Sequence, residues 1–435
     1  MMKRIKELIA HQFVRNVAVL QVGSAIGSII QATAGVVLAR LLQPERFGIY
    51  ALAFGLAGLT SLFLTIGTQD AMGTILGRAH ARDDRQEILD ATAFLLKIAI
   101  LSGVIVALCA LALPAIAGAI YREPIVGSYA VVIVLASVIS ASVLSLVTLL
   151  FQVAGDVRTM ALLILTDQVI RWGLSIGFVL AGFGIWGAMA GHLLGATCML
   201  VVAIFLWRRL RRRFFEFPSL AQTWHRMFSV PVRRFFRFSF FVAADRNVAN
   251  LYGILPVLIV GLVVSTREVT FFKLSFGYIN LALGLLGPIS TLLNVQFPRI
   301  QVESRDKLRH DFIRVTLYGV FLSVALTAGA IFVAPVVFRI LYGATFLESV
   351  PLVRQFAVYG ALFGIGVGLG PMWRATGRVT RSIAVNLVTL AIGIPLGLSL
   401  IRQFGVTGGV AMVTLWYTVS HIASFILLER LLKKI

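Results

Sequence analysis

The chain has 435 residues, of which 59% are hydrophobic and only 13% are charged, whereas a soluble domain is about one-quarter charged residues. Its formal net charge of +21 would suit a nucleic-acid-binding protein if the chain were soluble. A mean hydropathy of +0.94 instead places it in a lipid bilayer. The composition therefore excludes a series of soluble domains, and nucleic acid is not expected as a partner.

Twelve apolar runs follow one another along the chain, and each is long enough to cross a bilayer as a helix. In the first half the runs are 14–41, 48–66, 91–120, 129–153, 160–183 and 186–207. In the second half they are 240–264, 269–293, 315–341, 352–373, 383–401 and 406–428. Barrel strands would alternate over about 10 residues. The pattern therefore predicts an all-α integral membrane protein with twelve transmembrane helices.

The basic residues are unevenly distributed between the segments that connect these runs. Most of the 39 Lys and Arg residues lie at the two ends of the chain and in the even-numbered loops. Cytoplasmic loops of membrane proteins are enriched in Lys and Arg. The distribution therefore predicts that the N- and C-termini are both cytoplasmic.

The two halves of the chain resemble each other at a spacing of 221 or 222 residues. The matches pair Phe13 with Phe235, Gly55 with Gly277, Pro114 with Pro335, Gly155 with Gly377 and Gly184 with Gly405. Each half holds six predicted spans, and an even number returns the chain to the same side of the membrane. The halves are therefore expected to be two six-helix bundles related by a pseudo-twofold axis along the membrane normal, as in transporters built from parallel repeats.

This repeat predicts three segments: an N-terminal bundle over residues 1–207, a basic cytoplasmic linker over 208–238 and a C-terminal bundle over 239–435. Five arginines lie within the first six residues of the linker. They are expected to set the topology and to attract anionic lipid headgroups, an interaction that contributes about 1 kcal/mol per basic residue.

Two acid–base pairs, Asp167 with Arg171 and Asp245 with Arg246, lie inside predicted spans. A charge facing lipid at the centre of the bilayer costs about 2.5–3.5 kcal/mol, so these side chains are expected to face the protein interior or a wet cavity. Asp167 and Arg171 are four residues apart and can pair along one helix face. Such pairing is sufficient for a purely structural role, which remains the alternative to ligand binding.

Asp167 and Arg171 are not repeated in the second half of the chain. At the repeat spacing they correspond to Thr389 and Gly393, neither of which is charged. Residues needed only to pack a duplicated fold would be expected in both halves. The asymmetry therefore favours a single ligand or coupling ion.

The stretch 37–54, VLARLLQPERFGIYALAF, followed by GTQDA at 67–71, resembles the polysaccharide-type flippases of the MOP exporter superfamily. These include the translocases of O-antigen and exopolysaccharide repeat units. The resemblance implies two bundles around a central cavity in the plasma (inner) membrane. It also implies transport, without enzymatic activity, of an oligosaccharide linked to a polyprenyl diphosphate. The resemblance further implies membrane lipids, a polysaccharide polymerase and assembly proteins as partners.

An anionic diphosphate needs fixed cations, and the planar arginine side chain suits phosphate oxygens. The substrate-binding candidates are Arg171 and Arg246, followed by Lys97 and Arg15. A partly desolvated carboxylate can titrate near neutral pH, so the candidates for coupling to protons or sodium are Asp167 and Asp245. No cofactor and no metal are expected, since Cys109 and Cys198 lie in separate apolar runs.

Three other functions also occur among multi-pass membrane proteins. A multidrug exporter of the same superfamily would favour acidic and aromatic groups in its cavity. A major-facilitator transporter also has twelve spans, but the loop at 77–87 lacks the arrangement typical of that family. A polymerase or ligase of O-antigen would normally carry a large outer loop, whereas the predicted outer loops at 121–128 and 342–351 are short.

Overall fold

The computed structural model describes residues 12–64 and 68–434. The side chains of 12–18, 68–71, 233–246, 295, 303, 305 and 434 lie outside this description. The first half contains α1 Gln12–Ser61, α2 Thr68–Ala81, α3 Arg85–Ala110, α4 Leu113–Tyr121, α5 Pro124–Ile139, α6 Ser145–Val153, α7 Val157–Phe178, α8 Gly184–Arg213 and α9 Leu220–Ser229. The second half contains α10 Arg233–Val260, α11 Thr266–Leu283, α12 Gly287–Glu303, α13 Arg305–Val337, α14 Ser349–Gln355, α15 Ala357–Phe363, α16 Leu369–Ala375, α17 Val379–Phe404 and α18 Val406–Lys434.

Eight of the described helical stretches are long and apolar enough to cross a membrane, or nine if one bent pair counts as a single span. The bent pair joins Ala344–Gln355 to Ala357–Ala375 at an angle of 54°. No β-strand occurs in the ranges that the structure describes. The prediction of an all-α, multi-pass membrane protein is therefore confirmed, while the number twelve stays a prediction.

The longest apolar stretch, Val157–Arg213, contains a reversal of the chain. Its 57 residues would extend about 85 Å as one straight helix, far beyond the roughly 30 Å hydrocarbon core. Gly182 and Gly184, between α7 and α8, have φ angles of +93° and +54°, which glycine adopts at no steric cost. The helices then pack side by side, with the Ser175 hydroxyl donating to the Ala188 carbonyl over 2.9 Å.

Helix α1 also contains a break. Gln43 has φ 62° and ψ 167°, and Pro44 follows it. Proline lacks an amide donor and cannot continue the hydrogen-bonding pattern of a preceding helix. This break falls between the predicted spans 14–41 and 48–66.

The described chain forms two compact units. The first comprises Leu56–Asn247 with the chain up to Leu42, and the second comprises Gln43–Gly55 with the chain from Val248 onwards. The predicted division at 1–207, 208–238 and 239–435 stays a prediction, and the compact units differ from it in grouping Gln43–Gly55 with the second unit.

The second unit has an aromatic interior. Tyr359 packs edge-on against Tyr417 with ring centroids 4.9 Å apart, and its hydroxyl donates to Asn280 Oδ1 over 2.6 Å.

An exposed ion-pair network also lies within the second unit, where Arg267 bridges Glu45 at 3.3 Å and Glu348 at 2.7 Å. The bridge attaches the segment Gln43–Gly55 to α11.

Candidate functional site

A cavity of about 790 Å³ lies in the first unit between α2, α6, α7 and the π-helical segment Ser140–Leu144. Its polar lining residues are Thr74, Ser140, Ser145, Thr148, Gln152, Asp167 and Arg171. Hydroxyl, amide and ionic groups thus line a cavity within helices that are otherwise apolar. A polar cavity in a membrane-spanning unit is typical of a substrate or ion pathway.

Asp167 and Arg171 form an ion pair at the wall of this cavity. The Arg171 Nε donates to Asp167 Oδ1 over 2.6 Å, and its Nη2 donates to the Ser140 hydroxyl. The Arg171 side chain is 16% exposed and that of Asp167 is 22% exposed. Arginine has five N–H donors, so these two bonds leave three that a ligand in the cavity can engage.

The segment that supplies Ser140 is locally irregular because it is rich in serine. The hydroxyls of Ser137, Ser140 and Ser145 each donate to the backbone carbonyl four residues earlier. Such back-bonding bends helices, and π-helical turns are frequent at functional sites. The irregular turn brings the Ser140 hydroxyl to Arg171.

Two glycines of α8 allow it to approach α7 beside the ion pair. A Cβ on Gly195 would lie 2.8 Å from Cγ of Arg171, and a Cβ on Gly191 would lie 2.3 Å from the backbone nitrogen of Ser175. Both distances are far shorter than a van der Waals contact between such atoms. The small residues therefore hold the backbone that carries Arg171 tightly against α8.

In the second unit, the positions that correspond to Arg171 and Gly195 have the small and the large residue exchanged. Gly393 corresponds to Arg171 at the 222-residue spacing, and Trp416 corresponds to Gly195 at the 221-residue spacing. A Cβ on Gly393 would lie 2.4 Å from Nε1 of Trp416, whose side chain is buried. The large residue at this contact is Arg171 on the first helix of the pair, α7, in the first unit. In the second unit it is Trp416 on the second helix of the pair, α18. The two units therefore differ at this place in packing as well as in charge.

The other predicted site residues are placed differently. The Lys97 Nζ donates to the Val230 carbonyl over 2.9 Å, and Lys97 is not among the residues that line the cavity. The side chains of Arg15, Asp245 and Arg246 lie outside the described part of the chain. Of the three candidates whose side chains the structure describes, Asp167 and Arg171 lie together at the cavity and Lys97 does not line it. The functional roles of all six candidates stay predictions.

Sequence reasoning missed two residues of the site, Ser140 and Gly195. A serine cluster within the apolar run 129–153 was the available signal for Ser140. Gly195 gave no signal of its own, because glycine is common in membrane helices.

These features define a multi-pass helical membrane protein with a polar cavity in one unit, and its fold is similar to that of solved transporters described as members of the MOP superfamily. A multidrug-resistance transporter of the MATE family in its inward-facing conformation is similar with a TM-score of 0.72 at 14% identity, over 96% of this chain and 99% of that one. An outward-facing MATE transporter gives 0.69 at 16% identity, over 98% of each chain. A MOP transporter from Pyrococcus furiosus, whose description reports a binding pocket of reversed polarity, gives 0.62 at 16% identity, over 97% of this chain and 95% of that one.

The chain belongs to the polysaccharide biosynthesis protein family, whose model matches residues 37–351. One relative is described as an uncharacterized membrane protein in the cps region of Klebsiella pneumoniae. It is 23% identical over 211 residues, which are 48% of this chain and 41% of the relative. The matched part of this chain therefore spans less than half the length of that relative. The resemblance predicted from the sequence is confirmed by the family model, and solved MOP transporters share the fold.

Proposed function

We propose that this protein moves a lipid-linked oligosaccharide, carried on a polyprenyl diphosphate, from the cytoplasmic to the outer leaflet during synthesis of a surface polysaccharide. Membership of the polysaccharide biosynthesis family and the MOP fold support this function. The cps-region relative adds a similar context. The function is transport without a catalytic step.

The observation that carries the proposal is the composition of the cavity around Arg171. Sugars present many hydroxyl groups, which match the serine, threonine and glutamine side chains of the lining. The unused N–H groups of Arg171 can donate to diphosphate oxygens. The hydrocarbon tail of the carrier would remain in the bilayer, where it costs nothing to accommodate.

Asp167 is the proposed coupling group. When a diphosphate takes Arg171, the carboxylate beside it faces a second anion, and like charges at close range disfavour ionisation. Binding of a proton or a sodium ion to Asp167 would relieve this repulsion. Arg246, Lys97 and Arg15 remain proposed as further cations on the substrate path, and Asp245 as a second coupling carboxylate.

The proposed architecture is twelve spans in two six-helix bundles in the inner membrane, with both termini cytoplasmic and transport by alternating access. It is supported by the breaks at Gln43 and Gly184, which divide two long helical stretches at the places where the sequence separates spans. Polysaccharide polymerase and assembly proteins are proposed partners, together with membrane lipids.

This topology predicts opposite labelling of two single cysteines. In a background with Cys109→Ala and Cys198→Ala, which removes the two exposed free thiols, Arg211→Cys should react with an impermeant maleimide only from the cytoplasmic side. Glu123→Cys should react only from outside. The measurement is labelling of intact cells against inverted vesicles, with the cysteine-free background as control. Reaction of both positions from one side would rule out the twelve-span arrangement.

Deletion of the gene should separate the proposed function from the main alternative, an ion-coupled multidrug exporter, which the carboxylate in the cavity favours. We expect lipid-linked oligosaccharide to accumulate on the inner leaflet and the surface polysaccharide to be depleted by tenfold or more. The measurements are mass spectrometry of lipid extracts and quantification of surface glycan, with a complemented strain as control. Increased sensitivity to cationic drugs with intact surface glycan would instead establish the exporter. Accumulation of flipped but unpolymerised units would indicate the less favoured polymerase or ligase.

A further inference from the structure

The first unit contains a second large concave surface, a groove of about 1030 Å³ beside α8 that the proposed transport cavity does not include. We call it the linker groove. Its apolar part is formed by Leu96 and Ile100 of α3, Val143 of the π-helical segment, and Leu200 and Ile204 of α8. Its other end is formed by Arg208, Arg211 and Arg212.

The two ends of the groove follow one face of a single helix. Leu200, Ile204, Arg208 and Arg212 recur at intervals of four residues along α8, and Arg211 lies three residues after Arg208, which places them on one side of the helix. From Leu200 to Arg211 the helix rises about 16 Å. The face thus changes from hydrocarbon to guanidinium within the depth of one leaflet.

The three arginines of the groove form no ion pair with a carboxylate in the part of the chain that the structure describes. Their neighbour Arg213 does, since it pairs with Asp156 at 2.8 Å. The arginines that line the groove are therefore the ones whose charge is available to a ligand.

Helix α9 closes one side of the groove and is firmly anchored. The capping box of Ser219 and Gln222 begins the helix, and Arg226 pairs with the buried Asp90 at 2.6 Å. This bond raises the pKa of Arg226. The Trp207 indole nitrogen also donates to the Pro218 carbonyl over 2.9 Å. These contacts fix the wall that carries Trp224.

The outer surface around α9 is suited to the membrane interface. Trp224, Phe228 and Phe215 are 47%, 69% and 77% exposed. Exposed aromatic residues beside arginines are typical of segments that lie in the headgroup region. The linker that carries them is also the one predicted to be cytoplasmic.

From these features we infer that the linker groove binds an anionic phospholipid of the cytoplasmic leaflet, with one hydrocarbon chain along α8 and the phosphate against the three arginines. Charge complementarity supplies the headgroup contact, and the apolar face accounts for the chain. This inference does not depend on the proposed transport activity, because it concerns a resident lipid and a different surface; its assignment to the cytoplasmic leaflet rests on the proposed topology.

The groove shares a wall with the transport cavity. Val143 faces the groove, whereas Ser140 and Leu144 of the same π-helical segment face the cavity. A chain bound in the groove therefore packs against the back of the segment that holds the Ser140 hydroxyl to Arg171. Occupancy of the groove would stabilise the local geometry of the cavity.

Brominated lipids test the inference directly, because bromine quenches tryptophan fluorescence at contact range. The full-length protein, delipidated in detergent, is titrated with phosphatidylglycerol or phosphatidylcholine bearing the same brominated chains. The signal of Trp224 is isolated by subtracting that of the Trp224→Phe variant. We expect saturable quenching near one lipid per chain with phosphatidylglycerol, and an affinity at least tenfold weaker with phosphatidylcholine.

Matched variants locate the binding site. Arg211→Gln should weaken phosphatidylglycerol binding about fivefold, and the triple change of Arg208, Arg211 and Arg212 to Gln about a hundredfold. Arg209→Gln, which removes the same charge from α8 outside the groove, should have no effect. Filling the apolar end with Leu200→Phe and Ile204→Phe should abolish saturable quenching while leaving every arginine in place.

Three results would overturn the inference. Equal quenching by brominated phosphatidylglycerol and phosphatidylcholine would exclude a role of the arginines in binding. Equal effects of Arg209→Gln and Arg211→Gln on phosphatidylglycerol binding would indicate diffuse electrostatic attraction instead of a site. Displacement of phosphatidylglycerol by polyprenyl phosphate at tenfold lower concentration would assign the groove to the substrate carrier. Thermal unfolding and gel filtration of each variant verify that loss of binding is not loss of folding.

Discussion

Replacing Asp167 with Asn and Arg171 with Gln in one variant is expected to leave the protein folded and to reduce transport of the lipid-linked oligosaccharide at least a hundredfold. A partly buried ion pair exchanged for a neutral pair of similar shape often costs little stability. Hydrogen bonds to a charged ligand contribute about 1.5–3 kcal/mol each. Losing the Arg171 contacts to a diphosphate would therefore greatly weaken the binding of the substrate during transport. The measurement is transfer between leaflets in proteoliposomes at equal protein levels.

Arg171→Lys should retain part of the activity, about a tenth of the wild-type rate. Lysine keeps the positive charge but lacks the planar fork of arginine. Its single ammonium group cannot contact Asp167, Ser140 and the ligand at the same time. Arg171→Gln alone should lower stability more than the double variant, since it leaves Asp167 without its partner. Full transport by the double variant would show that the pair is structural, and Arg246 would then be tested in the same way.

The all-α membrane fold and the Asp167–Arg171 pair could be predicted because both are local properties of the sequence. Long apolar runs require helices in a bilayer, and a four-residue spacing places two side chains on one helix face. Ser140 lies 31 positions before Arg171 in the chain. Its contact could not be predicted, because it depends on how α7 packs beside the π-helical segment.

The structured part of the linker was missed for a different reason. The sequence predicts only a basic connection over residues 208–238, because five arginines lie at its start. Helix α9 is held by Asp90 and by the contact between Lys97 and the Val230 carbonyl. Both anchors lie on α3, more than 120 residues earlier in the chain. Lys97 was a ligand-binding candidate because it lies within an apolar run, yet it donates a hydrogen bond to a backbone carbonyl. The sequence alone does not distinguish these two roles, because the contact depends on tertiary packing.

The structure connects the unequal charges of the two halves to their packing. In the first unit, Gly195 on α8 faces the charged Arg171 on α7; in the second, Gly393 on α17 faces Trp416 on α18. A hairpin with a small residue at the contact can place a long side chain on either helix.

The Gly191→Ala variant is expected to be the most destabilised of the single changes in the hairpin of α7 and α8. Its new Cβ would lie 2.3 Å from the Ser175 nitrogen and 2.4 Å from the Ser175 Cα, and backbone atoms cannot rotate away as a side chain can. Forcing extra atoms into a packed contact costs about 1–3 kcal/mol, occasionally more. We expect the midpoint of thermal unfolding in detergent to fall by several degrees, together with the yield of folded protein.

Gly177→Ala supplies the matched control, because no atom lies within 4 Å of the position that its Cβ would take. Alanine is favoured over glycine in a helix by about 1 kcal/mol, so this variant should be at least as stable as the wild type. Gly195→Ala should lie between the two in stability but show the larger loss of transport, since its Cβ would displace Arg171. If Gly191→Ala and Gly177→Ala unfold at the same temperature, the two helices do not approach as closely as the structure shows, and the placement of Arg171 against α8 is wrong.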